Sequence, residues 1–167
     1  MRRGLSETEP RLGGPGGVPR ALPFMLLMLT LIVAACRDDA AGGVGQTVEV
    51  GDVDLTLVEF EVLEDGSYSL LSRANARARV LAVNARGRSG EVYRFAPYAA
   101  FRLDDSSGVG RGPQLCAGCE EPVNAVDLGV GARIDGWIYF QLEEGVDAAT
   151  LRYSAPLSRN RAEFALD

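Results

Sequence analysis

The chain has 167 residues, 47% hydrophobic and 24% charged, a composition that belongs to globular domains rather than disordered ones. Its formal net charge is −6, all 17 basic residues are arginine, and histidine is absent. An acidic chain gains little from neutralising phosphates, so nucleic acid is not expected as a partner. Without histidine the usual general base and the commonest metal ligand are missing.

Residues 1–20 are rich in Arg, Gly and Pro and are expected to be disordered or processed away. The apolar run from Ala21 to Ala35 is about fifteen residues, shorter than the roughly twenty that span a bilayer. With Arg20 on its cytoplasmic side, it fits the h-region of a signal peptide. Arg2-Arg3 lies too far from that run for a twin-arginine signal. The run ends Leu31-Ile32-Val33-Ala34-Ala35-Cys36. Small residues closing an apolar run before a cysteine resemble a bacterial lipoprotein signal. That resemblance implies cleavage before Cys36 and diacylglycerol on its sulfur, so the membrane is an expected partner. An uncleaved N-terminal anchor is the alternative, and either reading places the remainder outside the cytoplasm. Arg37 is not the aspartate that favours inner-membrane retention, which leaves the outer membrane open in a Gram-negative cell. Four arginines and two glutamates leave with residues 1–35, taking the remaining 132 residues to a net charge of −8.

Residues 36–46 then read as a supple tether, with Gly42, Gly43 and Gly45 in it. From 47 to 167 the pattern is that of short strands separated by turns, with no convincing helix. Val48 and Val50 alternate with polar residues up to the turn at Gly51-Asp52. Val53, Leu55 and Leu57 share one face, whereas Val58, Phe60 and Val62 have the opposite parity. That phase change predicts a bulge or a strand that changes sheets. Glu64 to Ser67 closes the strand, 76–85 reads as a central strand, and 91–95 and 98–103 are short strands separated at Pro97. Arg133 to Leu142 alternates most regularly. Ile134, Gly136, Ile138 and Phe140 point one way, and Arg133, Asp135, Trp137 and Tyr139 the other. Leu151 with Tyr153, and Ala162 with Phe164 and Leu166, supply the last strands. About seven or eight strands with regularly spaced turns predict an all-β antiparallel sandwich.

The order Gly-Gln-Thr-Val-Glu-Val at 45–50, Leu-Ala-Val-Asn at 81–84, Phe101-Arg102-Leu103-Asp104-Asp105 and Gly131-Ala132-Arg133-Ile134-Asp135-Gly136-Trp137-Ile138-Tyr139-Phe140 resembles a known family. It is the immunoglobulin-like domain of uncharacterised function common in bacterial lipoproteins and related to a secreted mycobacterial immunogenic protein. The resemblance implies a β-sandwich outside the membrane and brings no catalytic residues. The chain departs from it at 112–124, where two cysteines stand.

With Cys36 committed to lipid, Cys116 and Cys119 remain as an even pair in an oxidising compartment. A local disulfide is the default reading, worth about 1–2 kcal/mol in so small a loop. The sharper alternative is a thiol-disulfide redox centre. It lacks a downstream helical stripe to lower a thiol pKa, and Glu120 and Glu121 would raise it. A zinc site would need about four ligands, and none beyond these two is in view. No cofactor or metal is expected, and no enzymatic activity.

Arg73, Arg77, Arg79, Arg86, Arg88 and Arg94 concentrate basic charge in one stretch. They read as a patch for anionic headgroups or cell-wall polymer, or as a solvated strand face balanced by acids. Trp137 and Tyr139 read as an exposed binding patch, or as a cross-strand pair covered by a loop. Asp104 to Gly108 has the Asp, Ser and Gly of a hairpin turn and lacks calcium-loop spacing. The expectation is a membrane-anchored binding or envelope-support module with a protein or polymer partner. Redox protein and small-ligand carrier are the alternatives, and neither partner nor oligomeric state can be read from the residues.

Overall fold

The computed structural model describes residues 39–63, 68 and 73–166. The leader, Cys36 and the expected turn at 64–67 lie outside these. Tyr153, Phe95, Phe140, Phe164 and Leu55 are among the largest side chains removed entirely from water, and all five belong to one apolar cluster. The strands of the sandwich are arranged to make that burial possible.

One sheet joins β2 (Thr47–Val50), β3 (Val53–Val62), β4 (Ala76–Asn84) and β9 (Arg133–Phe140) in the order β2-β3-β4-β9, all antiparallel. The other joins β1 (Asp39–Gly43), β11 (Arg161–Ala165), β10 (Ala148–Ser154), β6 (Phe101–Asp105) and β7 (Gly110–Arg111), in the order β1-β11-β10-β6-β7. A ribbon of β5 (Val92–Phe95) and β8 (Val126–Gly129) stands beside them. The only helical segment among the described residues is one turn, α1 (Pro97–Ala100). Pro97 sets its backbone angle where a helix begins.

In β3, Leu57 pairs with Val80 and Glu59 with Arg79, so Val58 is the unpaired residue of a bulge. The parity change in the sequence marks this point. Before the bulge, Val53, Leu55 and Leu57 face the core; after it, Phe60 packs inward while Glu59 and Glu61 sit opposite Arg79 and Arg77. The inner row of β4 is Ala76, Ala78, Val80 and Ala82, all fully buried. Small residues there leave the space between the sheets to the large rings of the facing strands. Asn84 ends that row at 1% exposure. Its amide donates to the Leu128 carbonyl at 2.9 Å and accepts from the Gly87 N–H at 3.1 Å, so the buried polar group is satisfied. Phe101 lies 4.9 Å from Tyr153 and 6.0 Å from Phe95, ring centre to ring centre, and the Tyr93 and Tyr153 hydroxyls hydrogen-bond to each other. These rings lock the β5–β8 ribbon onto the five-stranded sheet.

The expected all-β sandwich is observed, and it differs in detail: the segment expected as a strand over 98–103 is one helical turn followed by β6. Residues 39–43 are not tether: β1 pairs in parallel with β11 from Asp39↔Arg161 to Gly43↔Ala165, so the domain starts at 39 rather than 47. A strand of Asp, Ala and Gly lacks the β-branched and alternating signature that marks strands in sequence. The sheets are therefore antiparallel except at this edge. The strand count is eleven among the described residues, because β1, β7 and β8 are too short or too small-sided to show periodicity.

The turn after β6 is built on one carboxylate. Asp105 is 2% exposed. One of its oxygens accepts from the Ser107 N–H (3.0 Å), the Ser107 hydroxyl (2.5 Å) and the Val109 N–H (2.9 Å), and the other from Arg111 at 3.1 and 2.9 Å. This is an Asx-type turn with its acceptor capacity used by protein donors. The Ser107 hydroxyl, the two backbone N–H groups and Arg111 hold the Asp105 carboxyl down to about 2. A depressed carboxylate stabilises the fold above its unfolded value and stops doing so as pH falls through its folded one. Stability should therefore drop between about pH 4 and pH 2 in wild type. In Asp105→Asn, an acid titration of unfolding should show a lower plateau near neutrality and a shallower fall over that window.

Candidate functional site

β9 is the edge strand of its sheet, and along it one-sided burial gives way to burial on both faces. Arg133 and Asp135 are exposed, but Trp137 and Tyr139, on the same outward row, are 5% and 2% exposed. The cover is the segment 112–124. Its Gln114 N–H donates to the Tyr139 carbonyl at 2.7 Å, and its Val123 N–H donates to the Trp137 carbonyl at 2.9 Å. The Trp137 N–H in turn donates to the Glu121 carbonyl at 2.9 Å. The segment thus caps the hydrogen-bonding edge of β9, which would otherwise be a template for pairing with another chain. It also lays Cys116 on the aromatic pair.

The outer face beneath this lid is a second, small apolar cluster of Ala74, Cys116, Trp137 and Tyr139, with Tyr68 and Cys119 packed against it. Cys116 and Cys119 are joined in a disulfide with Cα atoms 5.4 Å apart, within the normal span. The Tyr139 hydroxyl donates to the Glu120 carbonyl at 2.6 Å. Arg77 completes the wall: its guanidinium lies 3.9 Å over the Trp137 ring and 4.8 Å over the Tyr68 ring. Its Nε donates to Glu61 at 2.7 Å and another nitrogen to Glu120 at 3.2 Å. That hydrogen bond from Arg77 holds the Glu61 carboxyl below its usual value.

Gly136 explains how the lid comes so close. A Cβ built on it would stand 2.7 Å from the Glu121 carbonyl oxygen and 2.8 Å from the Val123 side chain. Glu121 itself adopts φ 41, a left-handed conformation uncommon for a residue with a side chain.

The expected sites fall as follows. Trp137 and Tyr139 are the loop-covered pair and not an exposed patch. The arginines from 73 to 94 do not gather into one basic surface. Arg77 and Arg79 flank the lid, with Arg79 paired to Asp135 at 3.0 Å. Arg86 pairs with Asp54 at 2.6 Å and Glu49 at 3.3 Å, and Arg94 pairs with Asp127 at 2.9 Å. Arg73 and Arg88 have no ion-pair partner among the described residues. The balanced reading describes this stretch. Cys116 and Cys119 pair as expected, whereas Cys36 lies outside the described residues. No group of three or more Cys, Asp or Glu side chains among the described residues is placed to hold a metal. No helix among them is long and apolar enough to cross a membrane.

The residues missed are Arg102, Arg152 and Arg161. They are far apart in sequence, but β6, β10 and β11 bring them to one open groove of about 410 Å³ on the outer face of the five-stranded sheet. Arg102 pairs directly across from Arg152. Only the strand register could have assembled them.

No protein-family description and no curated protein matches the chain significantly. Solved structures do match its fold. The chain is similar to a secreted protein of Mycobacterium tuberculosis, MPT63, with a TM-score of 0.57 and 11% identity over 76% of this chain and 97% of that one. It is similar to the yjhA protein of Bacillus subtilis, with a TM-score of 0.57 and 16% identity over 75% and 99%. It is also similar to the ycdA protein of Bacillus subtilis, a candidate lipoprotein, with a TM-score of 0.55 and 12% identity over 71% of this chain and 38% of that one. At such identities the likeness establishes the β-sandwich and nothing further.

The lid can be tested at its tightest point. Gly136→Val should force the loop off β9, costing about 1–3 kcal/mol as an overpacking change and shifting Trp137 emission to the red. Gly129→Ala, where an added Cβ meets nothing within 4 Å, should leave both unchanged.

Proposed function

We propose that the mature chain is a lipoprotein, held at Cys36 to the outer side of a bacterial membrane. There it acts without catalysis, as a binding or support module for envelope proteins or cell-wall polymer. The observation that carries this reading is the Cys116–Cys119 disulfide, placed as part of the lid on β9. Such bonds persist in oxidising compartments and are rare in the cytosol. Cys116 is 6% exposed and packed on aromatic rings, and no helix begins among the residues that follow the pair. A redox cysteine needs an accessible, electropositive setting. The structural role of the bond is the better fit to these contacts, which is the reason for preferring a binding module to a thiol-disulfide enzyme. The space between the sheets is taken by Phe95, Phe140, Tyr153 and Phe164, which argues against a small-ligand carrier with an intersheet cavity.

The secreted mycobacterial protein and the candidate lipoprotein of Bacillus subtilis agree with an extracytoplasmic place for this fold. The early start of β1 adds a consequence. Only Arg37 and Asp38 separate Cys36 from the first strand, so the sulfur-bearing residue and Asp39 are at most about 11 Å apart. The domain would be held on the membrane and not beside it on a long leash.

Membrane fractionation with intact mass measurement tests the anchor. Wild type should be membrane-bound, begin at Cys36 and carry the added mass of diacylglycerol. Cys36→Ser should leave an uncleaved chain of unmodified mass; a wild-type chain that retains residues 1–35 with a free Cys36 thiol contradicts the reading.

A further inference from the structure

The parallel pairing of β1 with β11 sets the end of the sandwich from which the chain enters its first strand. Asp39, the first residue of β1, stands beside Arg161, the first residue of β11. The chain therefore enters β1 from the end that carries the β10–β11 connection, residues 155–160. That connection is closed by Ser154↔Arg161. At its tip Leu157 is fully exposed, the most exposed large apolar residue described, and it adopts φ 61. A left-handed conformation is an outlier for a bulky side chain, and here it holds the apolar group out in water.

The charge at this end is distinctive. Arg159 and Arg161 follow the tip, whereas Arg102 turns its guanidinium to the Gly110 carbonyl of β7 at 3.2 Å. Arg88 follows the turn at Arg86, which is bonded to the Gly51 carbonyl of the β2–β3 turn at 3.0 Å. Arg88, Arg102, Arg159 and Arg161 have no ion-pair partner among the described residues, whereas Arg77, Arg79, Arg86, Arg94, Arg111 and Arg152 each face a carboxylate. In the groove behind the tip the Nε of Arg152 is buried without a hydrogen bond, and like charges stand directly across from each other at Arg102 and Arg152. Asp104, bonded to Arg152, and Glu163, across from it on β11, offset that like-charge pair. Acids stand at this end too: Asp39 beside Arg161, Asp52 in the β2–β3 turn, Glu91 beside Arg88, and Glu163 across from Arg152 in the groove. The opposite end presents Glu144 and Asp147 in the β9–β10 connection, with Val109 nearby in the β6–β7 turn.

We propose that the end bearing Leu157 docks on an anionic phospholipid surface, with Leu157 among the headgroups and Arg159 and Arg161 against their phosphates. This rests on the anchoring through Cys36 proposed above. An acyl anchor combined with basic residues holds a protein on a membrane far better than one signal alone, and each basic residue near such a surface is worth roughly fivefold in partitioning. The short connection to Cys36 leaves this end within reach of the lipid, and the pairing of Asp39 with Arg161 turns the acidic end away.

The test uses the mature chain extracted from membranes and reconstituted in vesicles. Leu157→Trp and, at the far end, Val109→Trp report proximity to brominated phospholipid, with wild type as the Trp137 background. Quenching at 157 should exceed that at 109 at least fivefold in phosphatidylglycerol vesicles. It should fall at least fivefold in phosphatidylcholine vesicles or with Arg159→Gln/Arg161→Gln, and millimolar inorganic phosphate should not displace it. Equal quenching at both positions, or quenching indifferent to phosphatidylglycerol, overturns the proposal. Displacement by inorganic phosphate overturns it too, in favour of a free phosphate site. Intact mass reports separately whether Cys36 carries lipid, so a lipidated chain without quenching at 157 defeats the docking and leaves the anchor. An unmodified Cys36 with quenching at 157 defeats the anchor and leaves the docking.

Discussion

An aromatic pair on the wrong side of an edge strand sets the terms for this half of the molecule. β9 must present Trp137 and Tyr139 outward, because Ile138 and Phe140 are committed to the core. Two rings of that size left in water would form an adhesive patch on a strand whose hydrogen-bonding edge is also open. The segment 112–124 removes both liabilities at once, capping the edge with backbone bonds and covering the rings with a disulfide. Arg77 closes the remaining side, its stem and guanidinium stacked on Trp137 and its charge returned to Glu61 and Glu120. Gly136 is the clearance that lets the lid seat.

This makes the two cysteines part of packing before they are part of chemistry. In a ring of so few residues the loop-closure contribution is small, about 2 kcal/mol. The bond's larger effect is to fix the shape of a surface segment lacking regular structure, so that its apolar side stays down. The same economy governs Asp105, whose carboxylate organises a tight turn by accepting five hydrogen bonds from three neighbours. Both devices rigidify loops at the ends of a sandwich whose core is already dense with rings.

Where side chains alternate strongly, the sequence was enough to place them. The two-residue period of β9, the phase slip at Val58 and the central position of β4 were all readable, since each is a statement about which face a residue occupies. β1 was not readable, because Ala and Gly have no face to declare and its pairing with β11 depends on a chain segment over a hundred residues away. The lid was half readable. The cysteine pair and its small loop stood out, but Gln114 and Pro122 each form a single bridge to β9, and single bridges have no period. The arginines misled for a related reason. Closeness in sequence grouped Arg73 to Arg94, whereas the fold disperses them beside carboxylates and gathers Arg102, Arg152 and Arg161 from three strands.

Burial of Trp137 and Tyr139 requires the lid to be a fixed part of the native fold. Amide hydrogen exchange in the oxidised chain reads this directly at the Trp137 and Val123 N–H groups, which donate to Glu121 and Trp137 across the seam. Protection at both approaching that of Val80 in the central strand is the predicted result. Exchange at the rate of an open edge, with Val80 still protected, would mean that the segment does not hold β9 and that the disulfide has some other purpose.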